Sequence, residues 1–241
     1  MTRAPFLVVS DIDDTLTGDA QALRDLTDIL AAHRDTVRFA LNSSRPSASV
    51  DRTIETEFPP GFEADACITA MGTEIRVDGE LLGDWDARFS GWPRDEIFRI
   101  VEAEGHRPHA PEFQTRYKVS FAVPRGEPQN QVREILAKTG ADCRFIASGA
   151  DDFDIIPSLA GKDNAAIFLA GFLGISTQRL IVAGDSRNDL AMFQVASGAI
   201  AVGNARRELL DAMPVNTSYR ATRNHAAGVL EGLRHFGVIS A

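Results

Sequence analysis

The sequence has 241 residues, and 44% of them are hydrophobic, so it can form one large domain or two modest ones. Acidic residues outnumber basic residues by 34 to 25, and the formal charge of −9 disfavours nucleic acid or an anionic membrane as a general partner. No segment has the roughly 18 to 20 apolar residues of a membrane span, and the N-terminus becomes acidic too early for a signal peptide, so we expect a cytoplasmic protein.

The first 82 residues alternate apolar runs with a helical pattern. Runs at 6–10, 37–44 and 66–72 predict buried strands, and residues 20–33 place Leu and Ile at helical spacing between the first two. Continuous apolar strands separated by helices are typical of a parallel sheet that helices cover on both faces.

The pattern changes in the middle of the chain. Helical and alternating segments follow one another at 93–105 (helix), 113–124 (strand), 127–140 (helix), 143–149 (strand) and 152–157 (strand). This order predicts a small α+β unit with an antiparallel sheet.

From Gly161 onwards the first pattern returns. Helices are predicted near 162–174, 188–196 and 225–237, and strands at 179–186 and 199–204. We therefore predict an α/β fold in which a Rossmann-like core of residues 1–82 and 159–241 is interrupted by an inserted α+β domain of residues 83–158.

Polar side chains follow three of the predicted parallel strands. They are Asp11 and Asp13 after the first, Ser43 and Ser44 after the second, and Asp185 and Asp189 after the strand that begins at 179. Ligands of open parallel sheets bind beyond the carboxyl ends of the strands, so we expect these side chains to meet at one edge.

The residue types in this cluster predict a magnesium phosphate site. Carboxylates without nearby His or Cys pairs favour Mg²⁺, which would also relieve the repulsion between Asp11 and Asp13. Ser43 and Lys162, the latter at a helix start that favours anions, could hold phosphate oxygens. An ionised carboxylate could then attack phosphorus while a second carboxyl group protonates the leaving oxygen, and Asp11 and Asp13 can divide these roles.

These motifs resemble those of the haloacid dehalogenase (HAD) superfamily. "DIDDT" at 11–15, Ser43, Lys162 and "GDSRND" at 184–189 match its four motifs in order. The resemblance implies Asp11 as nucleophile and metal ligand, and Asp13 as general acid/base with a metal-binding backbone carbonyl. It also implies further roles: Asp185 as metal ligand, Asn188 and Asp189 as its support, Thr15 as loop support, Ser43, Ser44 and Lys162 as phosphate contacts, and residues 83–158 as a C2-type cap.

Longer phrases resemble the sucrose-6-phosphate phosphatase group, which includes mannosylfructose-phosphate phosphatase. They are "VVSDIDDTL", "ITAMGTEI", "YKVSFAV", "DFDIIP…AGK" and "VAGDSRND". The resemblance implies Mg²⁺-dependent hydrolysis of a disaccharide phosphate, a phosphorylated sugar as the binding partner, and a monomer or weak homo-oligomer. Candidate sugar contacts are Arg45, Gly72, Thr73, Glu74 and Lys118, although Glu74 and Lys118 could equally be ordinary surface residues. The group's Thr-Gly-Arg is Ser43-Ser44-Arg45 here, which leaves the identity of the sugar open.

Other functions fit parts of this pattern. A phosphatase of another phosphorylated sugar, from a monosaccharide to a glycosylglycerate or trehalose phosphate, or a sugar phosphomutase, would share the fold. A signalling receiver domain also gathers acids, a hydroxyl and a lysine around Mg²⁺, but its phosphorylated Asp follows a later strand in a chain about half as long.

Several conspicuous residues have simpler interpretations. Cys67 and Cys143 are too few for a disulfide framework and are expected to be buried thiols. We do not assign catalysis to Asp14 or Asp19. The remaining candidates are His106 and His109, interpreted as part of a polar loop rather than a metal site, and Trp85 and Trp92, interpreted as hinge packing.

Overall fold

The computed structural model describes residues 4–240, whose strands form two separate sheets. The strands are β1 Phe6–Ser10, β2 Val37–Asn42, β3 Ala66–Thr69, β4 Glu74–Val77, β5 Glu80–Leu81, β6 Arg107–Pro108, β7 Val119–Ala122, β8 Cys143–Ser148, β9 Asp152–Pro157, β10 Leu180–Gly184, β11 Gly198–Ala201 and β12 Ser218–Arg220. The helices are α1 Ala20–Ala32, α2 Ser47–Glu57, α3 Gly83–Asp86, α4 Arg94–Ala103, α5 Glu127–Thr139, α6 Lys162–Phe172, α7 Leu190–Val195, α8 Arg207–Leu210 and α9 His225–His235.

The larger sheet has eight strands in the order β12-β11-β10-β1-β2-β3-β4-β5. The pairs from β12 to β3 are parallel, whereas β4 and β5 add an antiparallel hairpin. The turn of that hairpin is Asp78-Gly79, and both residues have the positive φ that such a turn requires. The carboxyl ends of β1, β2 and β10 therefore lie at the same edge.

Helices cover both faces of this sheet, as the continuous apolar strands predict. Alternation along β1 places Val8 in one core with Leu26 of α1 and Leu230 of α9. Leu7 and Val9 face the other core, which α6 and α7 complete. The predicted α/β fold is confirmed, and a sheet buried on both faces gives the site at its edge a rigid base.

The smaller sheet is antiparallel throughout and has the order β6-β7-β9-β8. Helices α4 and α5 pack on it through a third core that includes Ile97, Val132, Phe121 and Phe153. All four of its strands lie between residues 83 and 158. Trp85, in contrast, is buried in a core of the larger sheet, with its ring 4.8 Å from that of Phe168 in α6, so it packs as expected.

Some local features differ from the sequence expectations. Helix α2 was not predicted because only Val50 and Thr53 of it are buried, which leaves little apolar periodicity. Strand β7 is shorter than the expected 113–124, since Pro111–Phe113 forms a 3-10 turn before it. Cys67 and Cys143 are free thiols, as expected, but they are of intermediate burial and not buried as predicted. Burial nevertheless raises the pKa of each thiol to about 11.

Candidate active site

The loop after β1 carries the first acidic pair. Asp11 is 4% exposed, and its backbone N–H donates to the Ala183 carbonyl at 3.0 Å, which ties the loop to β10. Buried Ile12 and Leu16 anchor the turn that follows, and the Ile12 carbonyl accepts the Leu16 N–H at 2.9 Å. Asp13 lies beyond this anchor with half of its side chain exposed. Asp11 and Asp13 therefore occupy different environments, because Asp11 is buried and Asp13 is half exposed.

Lys162 lies at the centre of the site. Its side chain is fully buried, and its Nζ is 2.5 Å from Asp11 Oδ1 and 2.7 Å from Asp189 Oδ1. Nζ also donates to Asn188 Oδ1 at 3.4 Å. A buried ammonium is stable only when such partners compensate for its lost hydration. Although burial alone would lower the pKa of Lys162, the two carboxylates raise it, so the ammonium is charged.

The backbone around Lys162 is fixed by an unusually close glycine pair. A Cβ on Gly72 would lie 2.3 Å from the carbonyl carbon of Gly161, and both glycines have positive φ. The Lys162 carbonyl in turn accepts from Asn42 Nδ2 at 3.1 Å. Arg144 of β8 makes an ion pair with Asp163, the next residue of α6, at 2.7 Å. These contacts set the depth at which the Lys162 side chain enters the site.

Three buried carboxylates could hold a metal ion together. One ligand oxygen from each of Asp11, Asp185 and Asp189 lies within 4.8 Å of the others. Thr15 Oγ1 donates to Asp185 Oδ1 at 3.4 Å. The second oxygen of Asp189 accepts the backbone N–H groups of Asp185 and Ser186, which fixes its orientation. The structure therefore brings together all the predicted residues of the first, third and fourth motifs.

The negative charge of this cluster favours a bound cation. Burial raises the pKa of Asp11 well above its usual value, against the lowering effect of Lys162. Burial, together with the charge of Asp189, also raises the pKa of Asp185 to about 6. Lys162 is the only buried cation among the described residues of the cluster, and the exposed Arg206 lies 3.6 Å from Asp185 Oδ2, so a divalent ion suits both the charge and the all-oxygen donor set.

The loop after β2 carries the predicted phosphate contacts. Ser43 is buried, and its Oγ accepts the Arg45 backbone N–H at 3.1 Å, so the hydroxyl proton can serve an anion. The Ser44 carbonyl accepts from Lys118 Nζ at 3.1 Å. Arg45 Nε lies 2.9 Å from Asp13 Oδ2. This loop thus touches both the acidic cluster and the smaller sheet.

Two adjoining cavities lie above the cluster. The first, about 190 Å³, is lined by Asp11, Asp13 and Asp185 among others. The second, about 280 Å³, is lined by residues of the smaller sheet together with Arg45. Ser44, Ser148 and Asp152 line both. A ligand that fills the two would meet Asp11, Asp13 and Asp185 at one end and residues of the inserted segment at the other.

The second cavity contains Lys118, a predicted sugar contact, together with polar residues that the sequence analysis did not select. Lys118 is 2% exposed and lies 3.4 Å from Asp154 Oδ1, so it is not an ordinary surface lysine. His109 Nδ1 lies 2.9 Å from Ser120 Oγ, and its Nε2 lies 3.5 Å from Asp152 Oδ1. Alternation in β7 and β9, whose Ser120 and Asp154 are directly paired, is the signal that could have found this set.

The predicted "GTE" contacts have internal partners instead. Thr73 is 1% exposed and donates to the Ala70 carbonyl, while Glu74 accepts from Ser47 Oγ and Thr69 Oγ1, each at 2.8 Å. Gly72 packs on Gly161, as described above. Among residues 4–240, the lining of the two cavities includes none of these three.

Comparison with known proteins identifies the family. The model of the sucrose-6F-phosphate phosphohydrolase family matches residues 4–237. The chain belongs to this family. The description of the family names a phosphohydrolase, and the predicted resemblance is confirmed.

Individual relatives are similar over nearly the whole chain. The mannosylfructose-phosphate phosphatase of Agrobacterium fabrum is 29% identical, over 96% of this chain and 97% of the relative. Sucrose-phosphatase 2 of Nicotiana tabacum is also 29% identical, over 97% of this chain, but the match spans only 60% of that protein.

Solved structures agree with this assignment. The sucrose-phosphatase of Synechocystis, in complex with sucrose and phosphate, is 31% identical with a TM-score of 0.88 and covers 98% of this chain and 99% of its own. A haloacid dehalogenase-like hydrolase from Bacillus subtilis shares the fold, with a TM-score of 0.72 at 17% identity. Among the helices of residues 4–240, none is long and apolar enough to cross a membrane.

Proposed function

We propose that this protein is a Mg²⁺-dependent phosphatase that hydrolyses a disaccharide phosphate of the sucrose-6-phosphate or mannosylfructose-phosphate type through an aspartyl phosphate. The observation that carries the proposal is the buried Asp11–Lys162–Asp189 cluster at the base of a cavity that continues into a second, polar cavity. The family and the activities named for its relatives support the choice of substrate.

The magnesium ion would be held by the carboxylates of Asp11 and Asp185 and by the backbone carbonyl of Asp13. Asp189, whose second oxygen is committed to backbone N–H groups, would support Asp185. When bound, the ion supplies positive charge to the phosphate oxygens and offsets the repulsion between the acids.

In the first step, an Asp11 carboxylate oxygen attacks phosphorus and the bond between phosphorus and the sugar oxygen breaks. The Asp13 carboxyl group gives its proton to that leaving oxygen. Lys162, Ser43 and Ser44 would hold the phosphate, and Lys162 already contacts the attacking side chain at 2.5 Å. Positioning of this kind supplies most of the catalysis in phosphoryl transfer.

In the second step, the Asp13 carboxylate takes a proton from a water molecule, and the water oxygen attacks the phosphorus of the aspartyl phosphate. The bond between phosphorus and Asp11 breaks, which releases inorganic phosphate and restores the Asp11 carboxylate. The half-exposed position of Asp13 at the cleft suits a group that meets both the leaving oxygen and water.

The inserted residues 83–158 would act as the C2-type cap that binds the sugar. Lys118 can donate to sugar hydroxyls, Asp152 can accept from them, and His109 can do either. Arg45 lines this cavity while it pairs with Asp13, so it would lie between the sugar and the acid. These residues replace Gly72, Thr73 and Glu74 as the proposed sugar contacts.

A phosphate-release screen tests the proposal. The purified protein is assayed with Mg²⁺ on disaccharide phosphates and on monosaccharide 6-phosphates, with Asp11→Asn as the inactive control. We expect release of inorganic phosphate at the highest kcat/KM from a disaccharide phosphate. Preference for a monosaccharide phosphate would support the alternative sugar phosphatase, and isomerisation without phosphate release would indicate a mutase.

A further inference from the structure

The carbonyl oxygen of Asp14, next to the proposed acid/base, is held from a distant part of the chain. Asn204 Nδ2 donates to it at 2.7 Å, and His225 Nδ1 lies 3.0 Å from it. Because a carbonyl can only accept, His225 donates to it in the form that carries a proton on Nδ1, an atom that also lies 3.4 Å from Asn204 Nδ2. Asn204 follows β11 and His225 begins α9, so both donors reach the catalytic loop from the end of the larger sheet.

Asn204 and His225 are also hydrogen-bonded to each other. The backbone N–H of His225 donates to Asn204 Oδ1 at 2.9 Å, which leaves the Nδ2 of the same amide pointing to Asp14. Asn204 therefore bridges the helix start and the loop, and its orientation is fixed at both ends. We call Asn204 and His225 the latch.

The latch joins two strained backbone positions. Asp14 has φ of 58° and His225 has φ of 50°, although neither is glycine. Left-handed conformations of such residues persist only where the surroundings hold them in place. The Asp14 side chain itself restrains the backbone little, since it is 59% exposed and its contact with Arg206 is 3.4 Å long. The hydrogen bonds to its carbonyl are therefore the main restraint on this residue.

The His225 side chain contacts the same loop at a second point. A Cβ on Gly18 would lie between 2.6 and 2.8 Å from three atoms of the His225 ring, so the ring rests against the backbone there. The loop is thus held at Asp14 and Gly18 by a single side chain. Among the described residues, the lining of the catalytic cavity includes Asp14 but neither member of the latch.

We propose that Asn204 and His225 are positioning residues, which hold the loop after Asp11 so that the Asp13 carboxyl group faces the leaving-group oxygen. The inference rests on the proposed phosphatase function. On one side of Asp13, the loop is fixed by the Asp11 N–H and the Ile12 carbonyl. On the other side, the latch holds Asp14. If the φ of Asp14 relaxed from its positive value, the peptide group that joins Asp14 to Asp13 would rotate.

Three variants separate positioning from general stability. His225→Gly removes the ring but suits the positive φ, so we expect an unchanged or higher melting temperature while kcat falls about tenfold to a hundredfold. His225→Asn also tolerates this φ and keeps a donor at the distance of Nδ1, so it should restore most of kcat. Asn204→Asp keeps the acceptor for the His225 N–H but places a carboxylate against the Asp14 carbonyl, and it should lower kcat at least as much as His225→Gly. KM should change little in all three.

A matched control comes from the β4–β5 hairpin. Asp78 also has a positive φ, of 51°, far along the chain from the catalytic loop. Asp78→Gly relieves the same kind of strain and should leave kcat unchanged. This variant shows whether relief of strain by itself alters turnover.

The choice of substrate tests the link to Asp13. A sugar alkoxide needs a proton in order to leave, whereas p-nitrophenolate does not. Because Asp13 also acts in the second step, which both substrates share, the comparison uses kcat/KM, which reports the first step alone. The loss of kcat/KM in His225→Gly should be several-fold greater on the sugar phosphate than on p-nitrophenyl phosphate. Normal kcat and kcat/KM in His225→Gly, or an equal loss of kcat/KM on both substrates, overturns the proposal. Wild-type protein that releases no phosphate would instead overturn the proposed function.

Discussion

The two cavities of this protein are built by different means. At the end of the larger sheet, buried charges compensate one another, and the Lys162 side chain is entirely shielded from water. In the cavity beside the smaller sheet, His109 and Asp152 retain 23% and 55% of their side-chain exposure. The first arrangement fixes a few atoms rigidly for one reaction. The second presents adaptable hydrogen-bonding groups, as recognition of a hydroxyl-rich ligand requires.

Loss of the nucleophile tests the first region most severely. Asp11→Asn should reduce phosphate release by about 10⁴-fold or more, because the amide cannot attack phosphorus. The fold should remain intact, because Asn keeps an oxygen acceptor for Lys162, which still pairs with Asp189. Steady-state phosphate release and circular dichroism measure the two effects. Appreciable Mg²⁺-dependent turnover would contradict the assignment.

Removal of the buried ammonium should have the next largest effect. Lys162→Ala leaves Asp11 and Asp189 without their cation, so the metal-free protein should lose about 3–5 kcal/mol of unfolding free energy. Phosphate handling should weaken, with kcat/KM reduced by about 10²-fold or more. Mg²⁺ should restore part of the stability, as denaturant unfolding with and without the ion would show. An unchanged unfolding free energy would argue against this role.

A substitution directly before β7 of the smaller sheet should weaken sugar binding and leave the catalytic step unchanged. Lys118→Met keeps the length of the side chain but removes the ammonium that contacts Asp154 and the Ser44 carbonyl. We expect KM for the sugar phosphate to rise about tenfold, with kcat on p-nitrophenyl phosphate close to wild type. Equal losses on both substrates would mean that the two cavities are not functionally separate.

The pH dependence of stability should distinguish the regions in the metal-free protein. The pKa of Asp185 is raised to about 6, so the folded state binds protons more tightly than the unfolded state. The resulting stabilisation is present at low pH and is lost as the pH rises from about 4 through 6, with an amplitude of about 1–3 kcal/mol. Melting temperatures across this range would show the trend, and Asp185→Asn should reduce its slope but not remove it, because burial also raises the pKa of Asp11. Mg²⁺ should reverse the trend, because protons compete with the ion.

The sequence predicted the first region far better than the second. Asp11 and Asp185 follow parallel strands, and Lys162 begins a helix that packs on the same sheet. The carboxyl ends of parallel strands lie at one edge of a sheet, so a local pattern is enough to predict that these residues meet. His109 and Asp152 meet through antiparallel pairing, and neither the partner nor the register of those strands can be read from a local pattern. Gly72 is predicted as a sugar contact because the sequence around it matches the family. In the structure, its lack of a side chain allows the close approach of Gly161, which directly precedes α6.

The hydrogen bond from Lys118 to Ser44 ends on a main-chain oxygen. Any amino acid at position 44 presents the same acceptor, so the connection between Lys118 and the loop after β2 is independent of side-chain identity there. Serine can thus stand where the family pattern has glycine without breaking that connection. The Lys118 contact therefore leaves the Ser44 side chain, which lines both cavities, available for the phosphate contact proposed for it.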